Sequence, residues 1–270
     1  MGLLRPEEGK RQAVTIPRIY LPRPLDAGDT CVVAEDQRRY LQSVLRMQEG
    51  DPLIVFNGSD WEFDAVIRYP QVGALALEIT SKRPVPLDEI EITLCQAIPK
   101  VEKMDGIIRH ATELGVRRII PFLAERSIPR WSAAKGPQKR ERWRKIAVEA
   151  ARQCGRTDIP EIGEIASFAE MLGSARKGAL GLIPWEEEAG RGIREVLRDP
   201  RHDGTKSFHL VIGPEGGFAR EEIDRAHGAG FLAVSLGRRV LRVETAALAV
   251  LAILQYERGA IGGADTGRPL

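Results

Sequence analysis

The segment His209–Phe218, HLVIGPEGGF, constrains this chain more tightly than any other stretch. An apolar run ending at Ile212 enters a turn carrying Gly213, Gly216 and Gly217, and helix-forming residues follow near Arg220. A strand that passes through a glycine turn into a helix is the repeating joint of an open α/β sheet, where ligands gather beyond the carboxyl ends of strands. Glycine there permits positive φ and lets a ligand approach the backbone closely. The segment has neither the G-x-G-x-x-G dinucleotide fingerprint nor a phosphate loop ending in Lys-Ser/Thr, which disfavours nicotinamide and ATP enzymes of those two kinds. Taken alone, it also fits a tight structural turn.

A second joint has the same layout. Phe231–Leu236 is strand-like, Gly237-Arg238-Arg239 is a turn, and Val240–Thr245 leads into the apolar run Ala246–Leu254. That run is too short to span a bilayer. Thr245 or Glu244 can cap the helix it opens, and Arg242 can pair with Glu244 or Glu215. Two such joints on neighbouring strands would place two loops on one pocket. Further strands are expected at Ile90–Ala97, Val116–Phe122, Gly178–Ile183 and Phe208–Ile212, and helices at Lys103–Leu114, Gln138–Cys154, Glu221–Ala229 and Glu244–Gln255. The alternation implies an α/β domain with a largely parallel sheet.

Upstream the rhythm differs. Short strands at Cys31–Ala34, Leu53–Phe56, Phe63–Val66 and Ala74–Ile79, separated by turn signals such as Asn57-Gly58, suggest a small β-barrel. Glu35–Met47 inserts a helical turn or more. Ser81–Leu87, with Pro84 and Pro86, reads as a linker, and the first dozen residues and the GGADTG stretch near the C-terminus read as loose tails. Composition adds limits. Residues 95–160 hold 15 Lys/Arg against 7 Asp/Glu, although the net charge of the chain is only +2. That surplus either steers an anionic polymer or forms a solvated helical face. Cys31, Cys95 and Cys154 are widely spaced and odd in number, and the four histidines are scattered, so neither a disulfide framework nor a metal site is expected. With no secretory apolar segment in MGLLRPEEGKRQ, a cytoplasmic protein is expected.

Several segments in order carry a family resemblance: Pro17-Arg18-Ile19-Tyr20, Val44-Leu45-Arg46-Met47, Glu113-Leu114-Gly115-Val116, Glu125-Arg126-Ser127, Arg142–Ala147, Gln153–Arg156, IGPEGGF at Ile212–Phe218 and LGRRVLRVETA at Leu236–Ala246. From about Ile16 to Glu257 the chain resembles the bacterial 16S ribosomal RNA uridine-N3 methyltransferases of the SPOUT superfamily. The resemblance implies a PUA-like RNA-binding β-barrel over residues 14–85. It implies an open-sheet methyltransferase domain with a C-terminal trefoil knot over residues 88–258, and a homodimer. It implies S-adenosylmethionine as cofactor, held by Ile183 and Pro184, by Ile212, Gly213, Glu215, Gly216 and Gly217, and by Leu236, Gly237, Val240, Leu241 and Thr245. Bulky residues at the glycine positions are expected to intrude on that cofactor. Where many relatives carry a histidine, this chain has Tyr40, which can still stack or donate one hydrogen bond but cannot take up and release a proton near neutral pH as histidine can.

Methylating N3 of uracil requires alignment, loss of the N3 proton and stabilisation of negative charge on O2 and O4. Arg242 is the expected stabiliser. Glu215 or Glu244 could accept the proton or merely hold Arg242, and loss of the proton to water is a third route. N3 lies on the Watson–Crick edge, so the uridine must be flipped or unpaired. Arg18, Arg46, Arg126, Lys145 and Arg156 are candidate phosphate contacts, each equally able to serve in an intramolecular ion pair. Trp143 is expected in the helix core. The implied substrate is 16S ribosomal RNA in the small subunit or a late precursor, with no membrane partner. The competing readings are a methyltransferase for another RNA site and a noncatalytic RNA-binding assembly factor.

Overall fold

The computed structural model describes residues 16–71, 73–86, 88–100, 103–127 and 135–263. The expected N-terminal tail and most of the GGADTG stretch lie outside them. The chain divides into two compact units, one built from residues up to Asn57 and Trp61–Pro84, the other essentially from Val85 onward.

The first unit contains β1 (Arg18–Tyr20), β2 (Thr30–Val32), α1 (Glu35–Arg39), β3 (Pro52–Phe56), β4 (Trp61–Arg68) and β5 (Ala76–Pro84). They form one five-stranded sheet in the order β1-β3-β4-β5-β2. β1 pairs with β3 in parallel, and the β3–β4, β4–β5 and β5–β2 pairs are antiparallel. Alternate residues Phe63, Ala65 and Ile67 of β4 meet Leu53, Val55, Leu77 and Ile79 in the core, as a half-buried strand requires. α1 continues as a wide π-type turn over Tyr40–Val44.

Ser81–Pro84, the first part of the linker expected from its prolines, is strand instead. β5 runs on to Pro84, opposite Trp61. This half of the strand is exposed and lacks apolar alternation, so hydrophobic pattern could not reveal it. Polar cross-strand pairs hold it: Ser81 Oγ donates to Asp64 Oδ2 at 2.6 Å, Arg83 pairs with Glu62 and Asp64, and Lys82 sits 5.2 Å from the Trp61 ring centre. Pro84 stands at the strand terminus, where a missing N–H is tolerated.

The second unit contains β6 (Glu91–Ala97), α2 (Lys103–Glu113), β7 (Arg118–Leu123), α3 (Gly136–Cys154), β8 (Glu161–Ile162), β9 (Ala166–Ser167), α4 (Phe168–Gly173), β10 (Leu180–Pro184), α5 (Ile193–Leu197), β11 (Ser207–Ile212), α6 (Arg220–Gly228), β12 (Leu232–Val234) and α7 (Val243–Glu257). Its sheet runs β12-β10-β11-β6-β7-β8, with β9 also on β7, and every pairing is parallel. Parallel strands are buried on both faces. One face, with Leu94, Leu182 and Leu210, packs on Ile107 and Ile108 of α2, Trp143 and Ala147 of α3, and Val250 and Leu254 of α7. The other, with Cys95, Ile183 and Val211, packs on Phe168 and Met171 of α4 and Ile223 and Ala226 of α6. Trp143 is buried core, as expected. No helix of the described residues is long and apolar enough to cross a membrane.

Candidate active site

Four adjacent strands, β12, β10, β11 and β6, end at the same carboxyl edge because all of them are parallel. Their following loops therefore converge, although they lie far apart in sequence. Register fixes the alignment: Pro184 is level with Val234, and Ile212 with Gln96.

The loops after β10 and β12 flank an open cleft. Pro184, Trp185 and Glu186 form one wall, and Ser235–Leu241 with Ala246 form the other. Leu236, Gly237, Val240, Leu241 and Pro184 were expected here. Trp185, Ser235, Arg238, Arg239 and Ala246 were not, because the sequence identified the loop without showing which side chains face inward. Glu186 belongs to a connection whose carboxylates sequence left open. Gly237 has φ +103°, the left-handed region that favours glycine. Val240 is 86% exposed, an apolar side chain offered at the cleft. Ile183 does not line the cleft; it is fully buried in the sheet's core. Thr245 is exposed and Ala246 takes the lining position.

The Gly213–Gly217 turn lies beside this cleft and is not part of its wall. Its glycines answer to protein neighbours. A Cβ on Gly213 would come within 2.9 Å of the Phe218 ring, and one on Gly216 within 3.2 Å of Arg126 Cβ. Gly217 has φ +68°, and a Cβ there would collide with the Glu186 carboxylate. The crowding expected against a ligand is thus first a crowding against the protein. Arg126 also donates to the Gly216 carbonyl at 3.0 Å, which ties the turn to the loop after β7.

Glu215 and Glu244 meet through a residue that sequence reasoning missed. Lys103 Nζ lies 3.2 Å from Glu215 Oε1 and 3.3 Å from Glu244 Oε2. The Lys100 amide donates to Glu215 at 3.1 Å as well. Burial raises the Glu215 carboxyl, but these donors outweigh it and its pKa falls below the ordinary value. Glu244 is lowered by its own amide, against some burial, with help from Lys103 and Arg242. Burial disfavours the Lys103 charge, yet the two carboxylates raise its pKa overall. The pairing that sequence assigned to Arg242 is therefore made by Lys103. Arg242 is an exposed residue at the mouth of α7, with φ −64° and ψ 152°.

The candidate RNA contacts separate. Arg18 pairs with Glu62 and lies over the Phe56 ring. Arg156 pairs with Asp158 at 2.5 Å and donates to the Thr112 and Val116 carbonyls. Both guanidinium groups are largely buried, so each is a structural cation here rather than an open phosphate contact. Arg46, Arg126 and Lys145 are exposed. Arg46 has φ +55°, the only positive φ outside glycine among the described residues.

The family model for an RNA methyltransferase domain matches residues 86–255, and that for an RNA methyltransferase PUA domain matches residues 33–77. The ribosomal RNA small subunit methyltransferase E of Bacillus subtilis is 30% identical over 245 residues, covering 88% of this chain and 94% of its own. A methyltransferase of Legionella pneumophila, solved with bound S-adenosylmethionine, superposes with a TM-score of 0.81 at 35% identity over 90% of this chain and 98% of that one. The ribosomal RNA small subunit methyltransferase E of Neisseria gonorrhoeae, bound to S-adenosylmethionine, gives a TM-score of 0.79 at 31% identity over 89% and 97%.

Proposed function

This chain belongs to the RNA methyltransferase family, and from that premise we propose that it methylates N3 of a specific uridine in 16S ribosomal RNA, using S-adenosylmethionine. The observation that carries the reading is the cleft at the shared carboxyl edge of β10 and β12, with the glycine turn after β11 beside it. The donor set fits the cofactor: apolar Pro184, Leu236, Val240 and Leu241 suit the adenine faces, and Glu186 offers a carboxylate for the amino-acid part. The buried Trp185 Nε1 has no hydrogen-bond partner among the described residues.

When bound, the cofactor supplies a methyl group that is already electrophilic. The chain supplies position and charge. Arg242 stabilises the anion that forms on O2 and O4 once N3 is deprotonated. Glu215 and Glu244 are ionised but tied to Lys103, which makes them weak proton acceptors, so the N3 proton goes to solvent. Arg46, Arg126 and Lys145 meet RNA phosphates. The same reading includes closure of the N-terminal sheet as a PUA-like barrel, a trefoil knot in the C-terminal domain, and a cytoplasmic homodimer acting on the small subunit or a late precursor. The largely exposed Tyr256 on α7 offers apolar surface for that partner copy.

The test is methyl transfer to unmodified small subunits and, separately, to naked 16S RNA, with nucleoside mapping. N3-methyluridine at one position is expected. Methylation at another atom overturns the uridine-N3 assignment, and absence of S-adenosylmethionine binding in calorimetry favours a noncatalytic assembly factor. Arg242→Ala is expected to keep cofactor binding and lose turnover by on the order of 10²-fold. Unchanged turnover at saturating RNA removes Arg242 from the mechanism.

A further inference from the structure

We propose that Lys103 is a positioning residue of this site, a cross-brace that ties the glycine turn after β11 to the first turn of α7 and so fixes where Arg242 stands. The inference rests on the methyltransferase reading for its consequence in catalysis, and on geometry alone for the brace.

Lys103 opens α2, the helix that follows β6. β6 is the sheet neighbour of β11. The ammonium thus reaches Glu215, in the β11 turn, at 3.2 Å, and Glu244, in α7, at 3.3 Å. These are three segments that chain connectivity leaves independent. The Glu215 arm has a second support in the Lys100 amide, on the same approach to α2. The Glu244 arm is electrostatic: Glu244 Oε2 is enclosed, and no hydrogen bond of normal geometry reaches it among the described residues.

Glu244 lies two residues beyond Arg242. The Arg242 carbonyl accepts the Ala246 amide at 2.8 Å, so its backbone moves with the first turn of α7. Holding Glu244 therefore holds the base of the Arg242 side chain. One cation serving two carboxylates leaves the exposed Arg242 available to a substrate oxygen. Other charges approach this cluster without replacing the brace. Arg242 acts on Glu244 from the helix mouth, Arg126 donates one hydrogen bond to the Gly216 carbonyl, and Glu186 lies against Gly217. Removing Lys103 leaves two carboxylates facing one another across the gap, which pushes α7 and the glycine turn apart.

The experiment compares the full-length protein with Lys103→Met, Lys103→Arg and Glu215→Gln. Three readouts are taken: carboxyl titration of 13C-labelled glutamates, amide hydrogen exchange in the first turn of α7, and the kcat and KM of methyl transfer. In Lys103→Met, the Glu215 and Glu244 titrations should move upward, α7 exchange should quicken, and kcat should fall by about tenfold or more with a smaller change in cofactor KM. Lys103→Arg should restore all three. Glu215→Gln, which cuts one arm while leaving Lys103 in place, should quicken α7 exchange. Wild-type titrations and exchange in Lys103→Met, or wild-type exchange in Glu215→Gln, overturn the brace whether or not the chain methylates RNA. If both shifts occur while the wild-type protein transfers no methyl group, the brace stands and the functional reading falls.

Discussion

His209 stands in β11, level with Thr93 on β6 and Gly181 on β10, and is almost wholly buried. Its Nε2 accepts the Arg176 amide at 3.3 Å, while Nδ1 has no hydrogen-bond partner among the described residues. Burial pushes its pKa down to about 4, and the Arg176 and Arg118 charges add to the effect. The imidazole is therefore neutral in the fold at pH values where an unfolded histidine, with pKa near 6.5, is already protonated. Between these values the unfolded state binds the extra proton, so stability is full above about pH 6.5 and declines as pH falls toward 4. The slope is at most about 1.4 kcal/mol per pH unit. Urea midpoints at pH 7 and pH 5 measure it. His209→Gln should flatten the difference, and an equally steep loss in that variant would reject this account. Cys95 gives no such handle: burial raises its pKa to about 12, which keeps it a thiol at neutral pH.

Elements differ in how they announce themselves. Long amphipathic helices and apolar strands were visible because burial of one face, or of both, writes a period into the residues. The bounds of α2, α3 and α7 fall within a few residues of expectation, and Gly115 and Gly155 end α2 and α3 in left-handed conformations. Short elements such as β1, β8, β9 and α5 bury too few residues for a period to form. α4 was missed despite a usable signal. Ser167 and Glu170 form a reciprocal capping box, the S-x-x-E pattern ahead of a helix. Ser167→Ala should cost about 1 kcal/mol, read as a lowered urea midpoint. A variant as stable as wild type would show that packing of Phe168 and Met171 alone holds α4. In the site, both loops after β11 and β12 could be read from glycine placement. Lys103 could not, because an ion pair between residues more than a hundred positions apart leaves no local pattern. Arg18 and Arg156 show the same limit: a lone arginine looks alike in sequence whether its partner is a carboxylate such as Glu62 or Asp158 or a phosphate.

At the scale of the whole molecule, a net charge of +2 conceals an uneven distribution. Several cations of residues 95–160 are paired internally: Arg117 and Arg156 with Asp158, Arg118 with Glu161, Arg140 with Glu164, and Arg142 with Asp105. The cations left for RNA are fewer than the sequence suggests. Affinity for the small subunit should therefore fall with salt along a shallow line, and Lys145→Ala should reduce its slope by about 1 on a log–log plot. Filter binding over a salt series checks this. A steep slope that is unchanged in Lys145→Ala would assign the contacts to other residues.

The spatial order of the parallel sheet also sets a schedule. β10 lies between β12 and β11, and the cleft needs Pro184–Glu186 on one side and Ser235–Ala246 on the other. A ribosome extending this chain at roughly 5–20 residues per second emits the first wall several seconds before the second. Until then the nascent polypeptide has a glycine turn and an open edge, but not both walls of the cleft. A ligand held between both walls would stabilise only the folded chain, as a late clasp on a core already formed.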